Sequence, residues 1–322
     1  MTLVIDSLVK KFGTVRALDG VSFSVGPGEV FGFLGANGAG KTTTMRVCLD
    51  VLRPDSGSVT WNGVSNTELP RRTWGYLPEE RGLYGKMRVL DQLVFFARLR
   101  GVAADAATRT VLEWLERFRI PDYRDRRAEE LSKGNQQKIQ FIAAILHDPD
   151  VLLMDEPFTG LDPVNVALLK DAFLEMRDRG KTLVFSTHQM DTVEELAESI
   201  AIVDRGRIVV AGPVREVRAS TGRVFVHLAV AGDTELAWLA DLPGVSVTRP
   251  GQDYTEMEVA RDRDPETILR EALDRGLRVT TFQIADPTIE QIFLEHVGPP
   301  PTDERHLAAV AAVAAVAQAP SR

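Results

Sequence analysis

The chain has 322 residues, of which 44% are hydrophobic and 26% are charged, and its formal net charge is −8. This length exceeds what one hydrophobic core usually accommodates, so two domains of unequal size are expected. The negative charge and the lack of a long basic run argue against nucleic acid as a partner. Cys48 is the single cysteine, which excludes an intrachain disulfide and favours a reducing compartment.

Membrane insertion and secretion are not predicted from the hydropathy of the chain. The N-terminus lacks the apolar core of a signal peptide and carries Asp6 early. The most apolar stretch, 307–317, is alanine-rich and falls short of the roughly 20 residues that a membrane-spanning helix needs. We therefore expect a cytoplasmic protein that reaches a membrane only through another chain.

The first two-thirds of the chain alternate strand-like and helix-like patterns, which predicts an α/β domain. The apolar runs typical of strands lie at 21–25, 30–34, 151–155 and 182–186. The last three are short, largely apolar and rich in β-branched residues or leucine, as strands covered on both faces are. A helix is predicted over 163–179, with Pro163 in its first turn and Gly180 at its end. A hairpin follows, with its turn at 204–206.

The remainder of the chain predicts a smaller α+β domain. From 223 onward the patterns alternate in the order βαββαβ, the order of a ferredoxin-like split sandwich, and a last helix follows. Turn residues near 220 suggest the boundary. The predicted domains are therefore 1–220 and 221–298, and residues 299–322 are predicted to form a disordered tail.

A glycine-rich loop with the sequence GANGAGKTT joins the strand at 30–34 to a helix, which is the context that a P-loop requires. Its glycines free the backbone to direct N–H groups at phosphate, and the helix dipole adds to the attraction. Lys41 can reach the β- and γ-phosphates, and the Thr42 hydroxyl can ligate Mg²⁺. The residues predicted to bind ATP are Gly35, Asn37, Gly38, Gly40, Lys41, Thr42 and Thr43. A glycine-rich turn with a stray lysine is the alternative, and the agreement of strand, spacing and helix disfavours it.

Two adjacent acidic residues lie at the end of the buried strand at 151–155, Asp155 as its last residue and Glu156 directly after it. An aspartate at the end of such a strand is costly unless it has a function. Asp155 is predicted to hold Mg²⁺ together with Thr42, and Glu156 to orient or deprotonate the attacking water. His188 follows the strand at 182–186 and is placed to contact the γ-phosphate. Taken alone, the acidic pair would be an ordinary loop start, and the histidine would be structural.

Further motifs make the chain resemble the ATP-binding subunits of ABC transporters over about residues 2–215. The segment LSKGNQQK at 131–138 is similar to the family signature, and TGLD at 159–162 is similar to the D-loop. His188 is similar to the switch histidine. Phe12 is similar to the aromatic residue that stacks on adenine, although a phenylalanine at this point could also belong to the core.

The resemblance implies an ATP site that no single copy completes. Two such domains pair head to tail, either as a homodimer or with another ATPase subunit, and each ATP lies between one P-loop and the other subunit's signature. The residues that this arrangement assigns to the neighbour's nucleotide are Ser132, Gly134 and Asn135. Asp162 of the D-loop is also predicted to contact nucleotide. A helix N-terminus without a phosphate of its own suits that role. A membrane-spanning permease on a separate chain would hold the protein at the inner face of the membrane.

The chain departs from the family pattern at three positions. Lys133 and Asn135 replace a glycine and a glutamine of the signature; Lys133 either adds charge near phosphate or is solvated, and the second interpretation is favoured. Glu79 stands where a glutamine usually senses magnesium and contacts the permease. A carboxylate can still ligate Mg²⁺, so Glu79 is a predicted metal ligand.

Both variant motifs resemble those of sodium-exporter and drug-exporter ATPases that carry an extra C-terminal domain, whose role is open between dimer stabilisation and regulation. The expected function is ATP hydrolysis that powers an exporter, with sodium or a drug-like compound as cargo. One alternative is a soluble ABC-type ATPase that acts on ribosomes or DNA, and the single cassette without sustained heptads disfavours it. An unrelated P-loop kinase would require the signature and TGLD to be accidents.

Overall fold

The computed structural model describes residues 1–298 except 81, 233–235, 250 and 252. The chain divides into two compact units, Met1–Gly212 and Pro213–His296. The tail predicted at 299–322 lies outside the described residues. Within the described part of the chain, no helix is long and apolar enough to cross a membrane.

The first unit contains two sheets. Its strands are β1 (Leu3–Phe12), β2 (Val15–Val25), β3 (Val30–Leu34), β4 (Ser56–Trp61), β5 (Val64–Ser65), β6 (Trp74–Leu77), β7 (Val151–Asp155), β8 (Thr182–Thr187), β9 (Ser199–Asp204) and β10 (Arg207–Pro213). An antiparallel sheet has the order β2-β1-β4-β5. The other sheet has the order β10-β9-β3-β8-β7-β6, and β9, β3, β8, β7 and β6 pair in parallel. Every residue of β3, β7 and β8 is buried, so the prediction of strands covered on both faces is confirmed.

The helices of the first unit are α1 (Lys41–Cys48), α2 (Val89–Leu99), α3 (Ala104–Arg117), α4 (Lys133–Ile145), α5 (Pro163–Asp178) and α6 (Met190–Leu196). An aromatic cluster packs α4 and α5 on β8. Phe173 of α5 lies at its centre, with its ring centroid 5.8 Å from that of Phe141 on α4 and 5.9 Å from that of Phe185 on β8. Phe158, just beyond β7, lies 5.1 Å from Phe173. This packing fixes the segments that carry the acidic residues.

The parallel arrangement brings the predicted site residues to one edge of the sheet. The P-loop follows β3, the acidic pair ends β7, and His188 follows β8. These three strands are neighbours in the order β3-β8-β7. In open α/β sheets, ligands bind at this carboxyl-terminal edge.

The second unit is the predicted α+β domain. Its strands are β11 (Val224–Val230), β12 (Val245–Arg249), β13 (Thr255–Val259) and β14 (Val279–Ala285), and its helices are α7 (Val214–Ser220), α8 (Glu266–Asp274) and α9 (Ile289–Val297). The strands pair antiparallel in the order β12-β13-β11-β14, as a ferredoxin-like split sandwich requires.

The first helix predicted in the second unit is a 3₁₀ segment over Ala237–Asp241 within the described residues. The expectation of an α-helix there is therefore wrong. Leu236 precedes the segment in a left-handed conformation with φ 45°, which an α-helix does not accept. Pro243 follows shortly afterwards, so less than two helical turns remain between these two positions.

A polar network holds α9 to one face of this second sheet. Arg223 donates to both carboxylate oxygens of Glu258, each at 2.7 Å, and to Glu295 of α9 at 3.1 Å. Gln291 of α9 donates to Glu256 at 3.0 Å. The hydrogen bonds to Glu258 and Glu295 raise the pKa of Arg223, and the bond from Arg223 lowers the pKa of Glu258. Each charge in this network has a partner.

Candidate functional site

The P-loop backbone has little room for side chains at two of its glycines. A Cβ on Gly35 would lie 2.5 Å from the carbonyl oxygen of Val203, and a Cβ on Gly40 would lie 2.8 Å from that of Ala17. Gly40 also has φ 116°, a conformation open to glycine and strained for other residues. The loop can therefore curl tightly against β9 and β2 before α1 begins at Lys41.

Lys41 is a buried cation, with only 7% of the residue exposed. Its Nζ donates to the carbonyl oxygens of Gly35 at 2.7 Å and Ala36 at 3.3 Å. Burial lowers the pKa of Lys41, and the charges of Glu156, Asp155 and Glu79 oppose that shift. A buried ammonium that is bonded to carbonyls, with no carboxylate within ion-pair distance among the described residues, is suited to receive an anion.

Thr42 and Asp155 meet at the sheet edge. The Thr42 hydroxyl donates to Asp155 Oδ2 at 2.5 Å, and the Ser186 hydroxyl of β8 donates to Asp155 Oδ1. Asp155 is 1% exposed. Thr42 and Asp155, two of the three predicted metal ligands, are therefore in direct contact. Ser186 holds the other oxygen of the Asp155 carboxylate.

These oxygens fit the needs of Mg²⁺. Among the described residues no group of three or more acidic, histidine or cysteine side chains could hold a metal ion alone. Mg²⁺ bound to nucleotide phosphates usually takes only one or two carboxylates from the protein, with phosphate and water completing its shell. The hydroxyl and carboxylate of the contacting pair are ligands of this kind.

Glu156 is held in an unusual backbone conformation next to Asp155. Its φ is 49°, and its N–H donates to the carbonyl oxygen of Ser186 at 3.1 Å. Its carboxylate accepts from Thr159 at 3.2 Å and lies 2.9 Å from His188 Nδ1. Left-handed non-glycine residues concentrate at functional sites.

His188 is 58% exposed at its side chain, whereas Glu156 is buried. The structure therefore brings the predicted base and the predicted switch histidine into contact. The histidine holds the carboxylate from the solvent side.

Glu79 lies in the loop after β6 and is largely exposed. Burial of its carboxyl and the nearby charges of Asp155 and Glu156 raise its pKa, while Lys41 opposes the shift. The carboxylates of Glu79, Asp155 and Glu156 therefore interact electrostatically with the buried ammonium of Lys41. Such a cluster favours a bound cation.

The remaining predicted residues of this half of the site lie as follows. Phe12 ends β1 and is half-buried, with the Lys10 ammonium 5.7 Å from its ring centroid. Asn37 is exposed in the P-loop, and Thr43 is half-buried in the first turn of α1. Stacking of Phe12 on adenine remains a prediction.

The signature residues form the N-terminus of α4. Ser132 is the N-cap, and its hydroxyl accepts from the backbone N–H of Asn135 at 3.3 Å. A Cβ on Gly134 would lie 3.4 Å from the Leu161 side chain, which is ordinary contact. No hydrogen bond among the described residues joins Ser132, Gly134 or Asn135 to the P-loop. Their role toward the nucleotide of another copy remains a prediction.

Asp162 caps α5, so its carboxylate has a partner within its own chain. It accepts from the backbone N–H of Asn165 at 3.0 Å and from the Asn165 side chain at 2.5 Å. The backbone bond lowers the pKa of Asp162. The residue fixes the start of α5, and contact with nucleotide remains a prediction.

Four polar residues received no individual role from the sequence, namely Gln137, Gln140, Thr159 and Ser186, although Gln137 and Thr159 lie within the LSKGNQQK and TGLD segments. Ser186 and Thr159 bond to the acidic pair described above. Ser186 stands out as a hydroxyl inside an otherwise apolar strand, which is a signal that the sequence offered. The glutamines of α4 give no such signal, because glutamine is common on helices.

The fold and the site define a P-loop nucleotide-binding protein with a signature helix. The family model for ABC transporters matches residues 18–159, and the model for the C-terminal domain of DrrA1-3-like ATP-binding proteins matches residues 212–297. The chain belongs to the ATP-binding proteins of ABC transporters. It therefore binds ATP and is an ATPase.

Similar proteins match both units of the chain. An uncharacterized ABC transporter ATP-binding protein, YhaQ of Bacillus subtilis, is 43% identical over 92% of this chain and 98% of its own length. The daunorubicin/doxorubicin resistance ATP-binding protein DrrA of Streptomyces peucetius is 33% identical over 92% of each chain. A solved ATP-binding subunit of an ABC transporter superposes with a TM-score of 0.65 at 29% identity, covering 69% of this chain and 94% of its own.

Proposed function

We propose that this chain powers an exporter through a membrane-spanning permease on a separate chain. The observation that carries the proposal is the similarity to DrrA along both units, including the C-terminal domain match at 212–297. The name of that relative concerns resistance to daunorubicin and doxorubicin, which favours a drug-like organic compound over sodium as cargo. The proposal assigns residues 1–220 to the ATP-binding domain and 221–298 to the C-terminal domain.

In the proposed site, Thr42, Asp155 and Glu79 would hold Mg²⁺. When bound, the ion would neutralise charge on the phosphates. Lys41 and the P-loop backbone hold the β- and γ-phosphates, and Phe12 stacks on the adenine. The contact between Thr42 and Asp155 and the raised pKa of Glu79 support this assignment.

Glu156 is the proposed general base. Its carboxylate is fixed by Thr159 and His188, so it can accept a proton from water without first reorienting. His188 presents the rest of its exposed ring to the γ-phosphate. The N-terminus of α4 supplies the second half of the site to another copy, through Ser132, Gly134 and Asn135, with Asp162 at the start of α5 beside it.

The proposed contact for the permease is an exposed aromatic patch on the first unit. It consists of Tyr84, Phe95 and Leu99, which are 53%, 42% and 67% exposed. The Tyr84 ring centroid lies 6.5 Å from that of Phe95 and 5.8 Å from that of Phe96. Contiguous exposed apolar side chains of this kind mark protein contacts. Tyr84 lies in the same loop as Glu79, between β6 and α2. A partner bound to the patch would therefore touch the loop that carries a proposed metal ligand.

Copurification tests the permease. The tagged chain is recovered from detergent-solubilised membranes of its own host, and we expect one polytopic membrane protein to accompany it. Phe95→Asp together with Leu99→Asp should remove that protein, whereas Ile284→Asp, at an equally exposed apolar position of the second unit, should not. Recovery of ribosomes or DNA without a membrane protein would overturn the proposal.

Transport by the recovered complex tests the cargo. Inverted membrane vesicles supplied with ATP and Mg²⁺ should accumulate doxorubicin, measured by its fluorescence quenching, and Glu156→Gln should abolish the signal. Uptake of radioactive sodium under the same conditions, with no doxorubicin accumulation, would transfer the function to sodium export.

A further inference from the structure

Two buried glutamines lie on one face of α4, the helix that begins with the signature. Gln137 and Gln140 are three residues apart, which places their side chains next to each other along the helix. Both are buried, at 7% and 4% exposed. Buried glutamine side chains need hydrogen-bond partners, and the identity of those partners is informative.

Each glutamine bonds to the backbone immediately after one of the site carboxylates. Gln137 Nε2 donates to the carbonyl oxygen of Pro157 at 2.9 Å, one residue beyond Glu156. Gln140 Nε2 donates to the carbonyl oxygen of Glu80 at 3.1 Å, one residue beyond Glu79. The two segments are far apart in sequence and belong to different loops. Helix α4 therefore holds both segments, in each case at the residue directly after a site carboxylate.

The amide of Gln140 is held in a buried position through its bond to the Glu80 carbonyl oxygen. Its Oε1 is buried and has no hydrogen-bond partner among the described residues. An unpaired buried oxygen costs free energy, and an apolar side chain of the same shape would avoid that cost. Gln92 on α2 shares this unpartnered buried oxygen, so what distinguishes Gln140 is the position of its donor bond, directly after Glu79.

We propose that Gln137 and Gln140 are positioning residues that tie both carboxylates of one ATP site to the helix that contacts the ATP of a second copy. The inference rests on the proposed roles of Glu79, Glu156 and the α4 N-terminus. When Ser132 and its neighbours engage a phosphate across the dimer, α4 moves as a unit. The glutamines transmit that displacement to the main chain after each carboxylate, so one site becomes competent when the other is occupied.

The test replaces each glutamine with methionine, which keeps length and volume but cannot donate. The matched control is Gln92→Met on α2. Gln92 is also fully buried with an unpartnered Oε1, and its Nε2 donates at 3.4 Å to the carbonyl oxygen of Met87, seven residues beyond Glu80. The control thus removes a buried amide of the same kind. Its bond to Met87 does not hold the backbone directly after Glu79 or Glu156.

Turnover is measured on the full chain at protein concentrations where ATP drives dimerisation, across a range of Mg²⁺. Gln140→Met should raise the Mg²⁺ concentration for half-maximal turnover about 10-fold, as loss of an outer-shell partner does. Gln137→Met should lower kcat about 10- to 100-fold with unchanged Mg²⁺ dependence, because it displaces the base. The control should match the parent chain, and the melting temperature of Gln140→Met should be at or above that of the parent.

The outcome that overturns the proposal is a folded Gln137→Met and a folded Gln140→Met that both match the control in kcat and Mg²⁺ dependence. If a methionine variant does not fold, the asparagine variant replaces it. Asparagine keeps the amide, but its side chain is too short to reach the carbonyl oxygen. We expect the same two effects from it, on Mg²⁺ dependence at position 140 and on kcat at position 137. Failure of the proposed function is distinguishable, because Glu156→Gln and Glu79→Gln would then leave turnover and Mg²⁺ dependence unchanged.

Discussion

Two partly or fully buried cations, one in each unit, have opposite electrostatic surroundings. Lys41 in the P-loop is bonded only to carbonyl oxygens, and burial lowers its pKa. Arg223 in the second unit is bonded to Glu258 and Glu295, and these bonds raise its pKa. The arginine has its counter-charge within the fold. The lysine has no directly bonded carboxylate among the described residues, and under the proposed function a nucleotide phosphate would supply the counter-charge.

This difference separates ligand-binding charge from structural charge. A buried charge without a direct partner reduces stability, and a protein retains it where a ligand compensates. A buried or half-buried pair with good geometry contributes to the fold and has no residual charge to offer. Among the described residues, the acidic pair Asp155 and Glu156 is held by hydroxyl groups and by His188, with no lysine or arginine paired to it. Glu258, in contrast, is paired with the Arg223 guanidinium.

The largest effect is expected from Lys41→Met. Loss of the ammonium should weaken ATP binding at least about 100-fold, since a charge-assisted contact in a buried site contributes roughly 3 kcal/mol. The lowered pKa means that the charged lysine destabilises the fold at neutral pH, which offsets the lost bonds to Gly35 and Ala36. The melting temperature should therefore stay within a few degrees of the parent. Calorimetric titration with ATP measures the first quantity, and scanning calorimetry the second.

Arg223→Met should show the reverse pattern. It removes the bidentate bond to Glu258 and leaves that half-buried carboxylate without its main partner, at a cost of about 1–3 kcal/mol in the free energy of unfolding. ATP affinity should not change. Denaturant unfolding and ATP titration on the same preparation check both statements. Weakened ATP binding in a stable Arg223→Met chain would contradict the separation of roles.

The smallest effect is expected from the pH dependence of Glu258. Its folded pKa is lowered from the model-compound value of 4.5 by Arg223, so its stabilising contribution is present above about pH 4.5 and is lost as the pH falls through the lowered folded value. Glu258→Gln should cost about 1 kcal/mol at pH 7, and the difference from the parent should shrink as the pH falls below 4.5. A difference that stays constant across this range would show that the ion pair does not stabilise the unit.

The sequence predicted the parts of the site whose residue types are dictated by chemistry. The apolar runs predicted the buried strands β3, β7 and β8, and that prediction is confirmed by their burial. The assignment of the P-loop glycines and the acidic pair to ATP follows from spacing and stays a prediction. Failures occurred where tertiary contacts decide the outcome. The left-handed Leu236 before the 3₁₀ segment carries no local sequence signal. The two α4 glutamines become informative only once their distant carbonyl partners are known.

ATP-dependent dimerisation tests the central claim that one chain supplies only half of each ATP site. The measurement is sedimentation velocity of Glu156→Gln, which should bind ATP without hydrolysing it. With ATP and Mg²⁺ we expect a dimer, and without nucleotide a monomer. Adding Gly134→Asp should restore the monomer, because its Cβ fits beside Leu161 while its carboxylate repels the neighbour's phosphate. A chain that stays monomeric at saturating ATP, or dimerises equally with Gly134→Asp, would contradict the account.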